Sequence, residues 1–127
     1  MAAEHPNAQI FRDLLAALEK RDLEAMRSYL APDIVWHMVG SEDPIRGRDA
    51  LIETLTSDLG DIEFDSDLHD VLANDEHVVG LVTAHLRRGD DEVTYRATEI
   101  AHMRDGKVTE RWAMVDDFQA MADFWAG

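Results

Sequence analysis

The sequence predicts an α+β fold in which helices come first and an antiparallel meander follows, with the helices packed on one face of a curved sheet. Three observations predict it. Through residue 59 most apolar residues recur at helical spacing, from residue 62 onward they alternate, and the alternating stretches are separated by short turn-forming clusters.

The first helix covers residues 7–20, where Ile10, Phe11, Leu14, Leu15 and Leu18 share one face. Arg21-Asp22 interrupts it, and Asp22 can cap a short second helix bearing Leu23, Met26, Tyr29 and Leu30. Pro32-Asp33 ends that helix and Ile34–Val39 reads as a strand. A third helix starts near Gly47, carries Leu51, Ile52, Leu55 and Leu59 on one face and stops at Gly60. Long strands follow over Ile62–Ala73, His77–Arg88, Glu92–Arg104 and Lys107–Val115. Their turns are Asn74-Asp75-Glu76, Gly89-Asp90-Asp91 and Asp105-Gly106. Asp116-Asp117 can cap a last short helix holding Phe118, Met121, Phe124 and Trp125.

The 127 residues are enough for one domain with its own core and leave no room for a second. No run is long enough to span a bilayer, and the start, MAAEHPNAQIF, lacks the basic and apolar segments of a secretory signal. A cytoplasmic protein is therefore the expectation. The absence of cysteine excludes disulfides, thiol nucleophiles and thiolate metal sites. A formal charge of −15 with scattered Lys and Arg argues against nucleic acid and against acidic membranes as partners.

The last hairpin decides which residues share a face. A two-residue loop at Asp105-Gly106 pairs Arg104 with Lys107, whereas a three-residue loop with Gly106 in the left-handed region pairs Met103 with Lys107. The second is expected, because only its third position demands a positive φ and Gly stands there. Thr94, Arg96, Thr98, Ile100 and His102 then share a face with Asp116, Met114, Trp112, Glu110 and Val108. That mixture of an aromatic, a thioether, an imidazole, a guanidinium and carboxylates suits the wall of an apolar pocket with a few convergent polar groups. The other face carries Tyr95, Ala97, Glu99, Ala101, Thr109, Arg111, Ala113 and Val115, and is expected to lie against a partner subunit.

The order of elements resembles the nuclear transport factor 2-like superfamily, which includes ketosteroid isomerase, SnoaL-like polyketide cyclases and limonene epoxide hydrolase. The resemblance spans roughly residues 7 to 125, through LLAALEKRDLEAMRSYLAPDIVWH, the glycine pair Gly40 and Gly47, DVLANDEHVVGL and EIAHMRDGKVTERWAMVD. It implies a cystatin-like α+β barrel, a cone-shaped curved antiparallel sheet of about four to six strands wrapped around N-terminal helices, with one deep pocket and usually a homodimer. The segment VGSE from Val39 resembles the one following the ketosteroid isomerase base. Anchored there, His37 occupies the base position; anchored on Asp33, Met38 does. That enzyme's two oxyanion donors do not carry over, since Leu14 holds the Tyr position and Ala101 the protonated Asp position. The pattern His102…Glu110-x-Trp112…Asp116 is closer to the SnoaL-like group, whose histidine and aspartate on the last two strands line the pocket.

The candidate catalytic residues are therefore His37, His102 and Asp116, with Trp36, Trp112, Met114, Leu14, Arg96 and Glu110 as substrate-binding candidates. An imidazole can act as a base near neutral pH without a large pKa shift. Each candidate also has a plainer role: a satisfied core imidazole for His37, a helix cap for Asp116, packing area for Trp36 and Trp112, and an ion pair for Glu110 with Arg96. Six histidines raise the question of metal, but no H-x-H or H-E-x-x-H spacing is present and no metal or cofactor is expected. Two readings follow. One is a cofactor-independent isomerase, cyclase or lyase acting on a small apolar carbonyl-type molecule, with epoxide hydrolysis through Arg96 and Asp116 as a variant. The other is a non-catalytic domain of the same fold that binds a small apolar ligand or mainly dimerises.

Overall fold

A computed structural model describes residues 4–127. Helix α1 (Pro6–Lys20) opens with Pro6, whose missing N–H costs nothing at a first helical turn, and with the His5 side chain accepting from Asn7 N. The buried Asn7 amide donates to the carbonyls of Asn74 and Asp75, fixing this end of the helix to a distant turn. Helix α2 (Leu23–Tyr29) is capped by Asp22. Strand β1 (Leu30–Trp36) follows directly, so Pro32-Asp33 lies inside a strand rather than ending a helix. A two-residue strand β2 (Ile45–Arg46) precedes α3 (Arg48–Leu59), and the meander is β3 (Glu63–Ala73), β4 (His77–Arg88), β5 (Asp91–Arg104) and β6 (Lys107–Val115). Helix α4 (Phe118–Ala126) is capped by Asp117, which accepts from Ala120 N at 3.0 Å.

The six strands form one sheet in the order β2-β1-β6-β5-β4-β3. Two expectations are corrected. The sheet is mixed, because β1 runs parallel to β6, and it is open, with β2 and β3 at its two edges rather than closed into a barrel. The fold class itself, α+β with helices on one face of the sheet, is as expected.

The β5–β6 hairpin has the other loop. Arg104 pairs with Lys107, and Asp105 and Gly106 both take positive φ (53° and 75°), the signature of a two-residue type I′ turn. A bulge at Thr109 then inserts one residue, so that His102 faces Glu110, Ile100 faces Trp112 and Thr98 faces Met114. The tighter turn alone would have exchanged the two faces of β6. The bulge restores them, and the face groupings survive a wrong loop, except that Val108 lies in the core.

Strand β4 fixes which face the helices cover. Val78, Gly80, Val82, Ala84 and Leu86 are all buried, whereas their alternates His77, Val79, Leu81, Thr83 and His85 are not. Phe11 of α1 lies on the Gly80 backbone; a Cβ there would stand 2.5 Å from the ring. Pairing carries this inner face across the sheet through Tyr95, Ala97, Glu99 and Ala101 to Arg111, Ala113 and Val115, and on to Trp36. The core, with Phe11, Leu14, Met26, Leu30, Ile34 and Leu51, fills the space between this face and α1–α3. Among the described residues no helix is long and apolar enough to cross a membrane.

Candidate functional site

The core does not fill the concave side completely. A cavity of about 540 Å³ remains between the inner sheet face, α1, α3 and α4. Its volume lies within the range of small-molecule sites. Short side chains open it: Ala84, Ala97 and Ala113 line the sheet side. Larger apolar groups surround this floor, with Trp36 and Met38 at one side, Leu55 and Leu59 from α3, Phe64 and Tyr95 from the sheet, and Phe118, Met121 and Trp125 from α4. Gly40 permits that closure, since at φ +84° any Cβ would stand 2.9 Å from the Phe118 ring.

One ion pair stands in this apolar wall. Glu99 and Arg111 occupy diagonal positions on adjacent strands, because Glu99 is opposite Ala113 and Arg111 opposite Ala101. Their side chains are 9% and 15% exposed, and Arg111 Nε donates to Glu99 Oε1 at 2.9 Å while Nη2 donates to the same oxygen. Arg111 Nη1 donates to His37 O at 3.2 Å, and the guanidinium lies 4.3 Å above the Trp36 ring. Glu99 Oε2 takes no hydrogen bond from the described residues and is not sealed from solvent. Tyr95 is four residues back on the same face, and burial, reinforced by the Glu99 charge and opposed by Arg111, pushes its hydroxyl above the ordinary value. It stays a neutral donor at physiological pH. Asp58, exposed at the end of α3, is the other ionisable group on the wall.

Of the nine candidate catalytic and substrate-binding residues, Trp36 alone lines this cavity. The assignment of faces is corrected: the small, mixed face expected at a subunit contact is the cavity wall, and the face expected to be the wall is the outer one. His37 lies there, stacked on Trp112 at 5.0 Å, with Nε2 2.8 Å from Glu110 Oε2. His102 meets the Trp112 ring edge-on at 4.9 Å, and its Nδ1 is 3.8 Å from Glu110 Oε1. Glu110 thus pairs with histidines and not with Arg96. Arg96 is held instead by Asp116, which accepts from Arg96 N at 2.9 Å and from Arg96 Nε at 3.2 Å. Those bonds, the backbone one foremost, hold the Asp116 carboxyl below its ordinary value. Met114 joins Arg96 and Asp116 along an open groove of this outer face, and His85 lies apart between Thr94 and Asp67. Leu14 is buried in the core and its neighbour Leu15 reaches the cavity. Met38, the alternative to His37 at the base position, lines the cavity and His37 does not.

The residues that sequence reasoning passed over are Glu99, Arg111, Tyr95, Asp58 and the α4 aromatics. The available signal was in β4, whose apolar alternate set identifies the covered face; Arg88 paired with Asp91 then carries that face to Tyr95 and Glu99.

Comparison with known proteins agrees with this architecture. The SnoaL-like domain matches residues 11–111. No curated protein sequence matches the chain. Among solved structures, an LEH-like epoxide hydrolase of M. tuberculosis superposes with a TM-score of 0.82 at 22% identity, covering 96% of this chain and 91% of that one. A protein described as a SnoaL-like polyketide cyclase, from Shewanella putrefaciens CN-32, gives 0.83 at 18% identity with 98% of each chain covered. A Xanthomonas campestris protein with a cystatin-like fold gives 0.81 at 19% identity over 94% of this chain and 97% of that one. Identities this low speak for the fold alone. With its helices packed on the concave face of an open, cystatin-like sheet, and the family match running through most of its length, the chain belongs to the SnoaL-like domain family.

Proposed function

We propose that this domain binds a small, largely apolar molecule in the concave cavity and moves a proton on it without a cofactor, with Glu99 as the base. The observation that carries the reading is the half-engaged carboxylate: Oε1 is held by Arg111 while Oε2 takes no hydrogen bond among the described residues, in a wall that is mostly apolar. A carboxylate so placed can take a proton alpha to a carbonyl. Arg111 spends three of its five N–H groups on Glu99 and His37, so among the described residues two remain to stabilise the oxyanion that forms as the proton leaves. The proton then returns to another carbon, giving an isomer; or the enolate attacks a carbonyl carbon of the same molecule, whose oxygen takes up the proton, giving a ring; or it expels a β leaving group, which departs with the proton, giving an eliminated product. This replaces the histidine–aspartate chemistry expected from the sequence, because His37, His102 and Asp116 lie on the outer face with partners of their own.

The experiment is deuterium uptake from heavy water at the alpha carbon of bicyclic aromatic ketones, followed by NMR. Wild type is expected to accelerate exchange, and Glu99→Gln to lose about a hundredfold or more of that acceleration. Exchange at the wild-type rate in Glu99→Gln would overturn the role of Glu99. The Glu99–Arg111 pairing also favours a second reading, a purely ligand-binding domain, in which case ketones bind but wild type leaves their exchange rate unchanged.

A homodimer formed through the outer face is the proposed assembly. Met114 and Leu72 are 51% and 56% exposed there, and Ile100, Trp112, Val79 and Leu81 between them are only partly covered. A row of apolar side chains across a sheet face, here Leu72, Val79, Ile100 and Trp112, marks an interaction surface. Light scattering is expected to give about twice the 14.4 kDa chain mass, and Trp112→Glu to return it to the monomer value.

A further inference from the structure

The charge of the cavity wall bears on what can enter it, and the inference rests on the cavity reading above. Four ionisable side chains line the space: Asp58, Tyr95, Glu99 and Arg111. Glu99 and Arg111 neutralise each other, and the Tyr95 hydroxyl stays uncharged at neutral pH. Asp58 makes no hydrogen bond or ion pair among the described residues, although it stands beside an apolar wall. Two negative charges and one positive leave the wall with one uncompensated negative charge. The chain's own −15 adds a field of the same sign, which draws cations to the opening and repels anions.

The rings on the wall point the same way. Arg111 already covers Trp36, whereas among the described residues no cation lies over Phe64, Tyr95, Phe118 or Trp125. Phe118 and Trp125 are, in addition, unusually exposed for large apolar side chains. Aromatic rings together with a carboxylate that has no partner among the described residues are the groups that recognise an organic ammonium ion, through the ring quadrupole and a direct charge contact. We propose that the cavity selects an apolar molecule carrying a protonated amine, with the ammonium held by Asp58 and the aromatic wall and the hydrocarbon body lying on Ala97 and Ala113 beside the Glu99–Arg111 pair.

Three probes with one ring system separate the possibilities by calorimetry on the full chain: naphthylmethylamine, naphthylmethanol and naphthoate. The amine is expected to bind about tenfold tighter than the alcohol, with naphthoate weakest. Asp58→Asn is expected to bring amine and alcohol to within about threefold of each other, while Asp58→Glu keeps the preference. Ala113→Leu, or Ala97→Leu should the first variant fold poorly, fills the cavity and is expected to abolish amine binding. Alcohol or naphthoate binding as tightly as the amine overturns the charge selection and leaves the cavity reading standing. Amine binding undiminished in the cavity-filling variants places the amine on the acidic surface and overturns the proposal. Failure of all three probes to bind overturns the cavity reading as well.

Discussion

At the scale of single residues, the Glu99–Arg111 pair carries the most consequence. Arg111 satisfies a carboxylate that would otherwise be a lone charge in an apolar wall. Arg111→Met should therefore lower stability by about 3–5 kcal/mol in urea unfolding, and adding Glu99→Gln should recover much of the loss. A silent Arg111→Met would show that water, not Arg111, solvates Glu99. Asp116 and Asp49 illustrate a different contribution. Each is held below the ordinary value of 3.8, Asp116 chiefly by the Arg96 backbone N–H and Asp49 chiefly by the Arg27 side chain. A carboxyl depressed by folding stabilises the protein above its unfolded pKa and loses that contribution as pH falls through the lower folded value. The urea midpoint should consequently drop as pH falls below about 4, and Asp116→Asn should make that acid limb shallower. An unchanged limb would mean that Arg96 holds Asp116 no better than water does.

At the scale of elements, most of the architecture was legible because period and punctuation agree. Glycine, proline and aspartate stand at helix ends, and the long strands alternate between clear turns. What was not legible came from long-range pairing. Strand β2 has only two residues and exists because Val35 and Trp36 offer Arg46 and Ile45 an edge. Thr109 looks like any strand residue, and its bulge follows from a turn chosen by two consecutive positive φ values, one of them at Asp105. The contact of α1 with the sheet is likewise invisible until Gly80 and Phe11 are seen together. Gly80→Ala is expected to cost about 1–3 kcal/mol in a thermal or urea melt, and Phe11→Leu in the same chain to relieve part of it. An unperturbed Gly80→Ala would indicate that the ring moves aside freely.

At the scale of the whole molecule, the outcome turned on a choice between two faces that both mix polar and apolar residues. The face carrying Trp112, His102 and Met114 has the larger side chains, which made it resemble a pocket wall. Space for a ligand comes instead from small ones, and Ala84, Ala97 and Ala113 leave that space under the helices. Size on a sheet face therefore signals a surface waiting for cover as readily as a binding site. The three tryptophans make the distinction measurable, since Trp36 and Trp125 line the cavity and Trp112 sits on the outer face. The most direct measurement is an NMR titration of the three indole N–H signals with a small neutral probe such as naphthylmethanol. The Trp36 and Trp125 signals are expected to move together and saturate while Trp112 stays in place. Movement of Trp112 with Trp36 and Trp125 unmoved would return the site to the outer face.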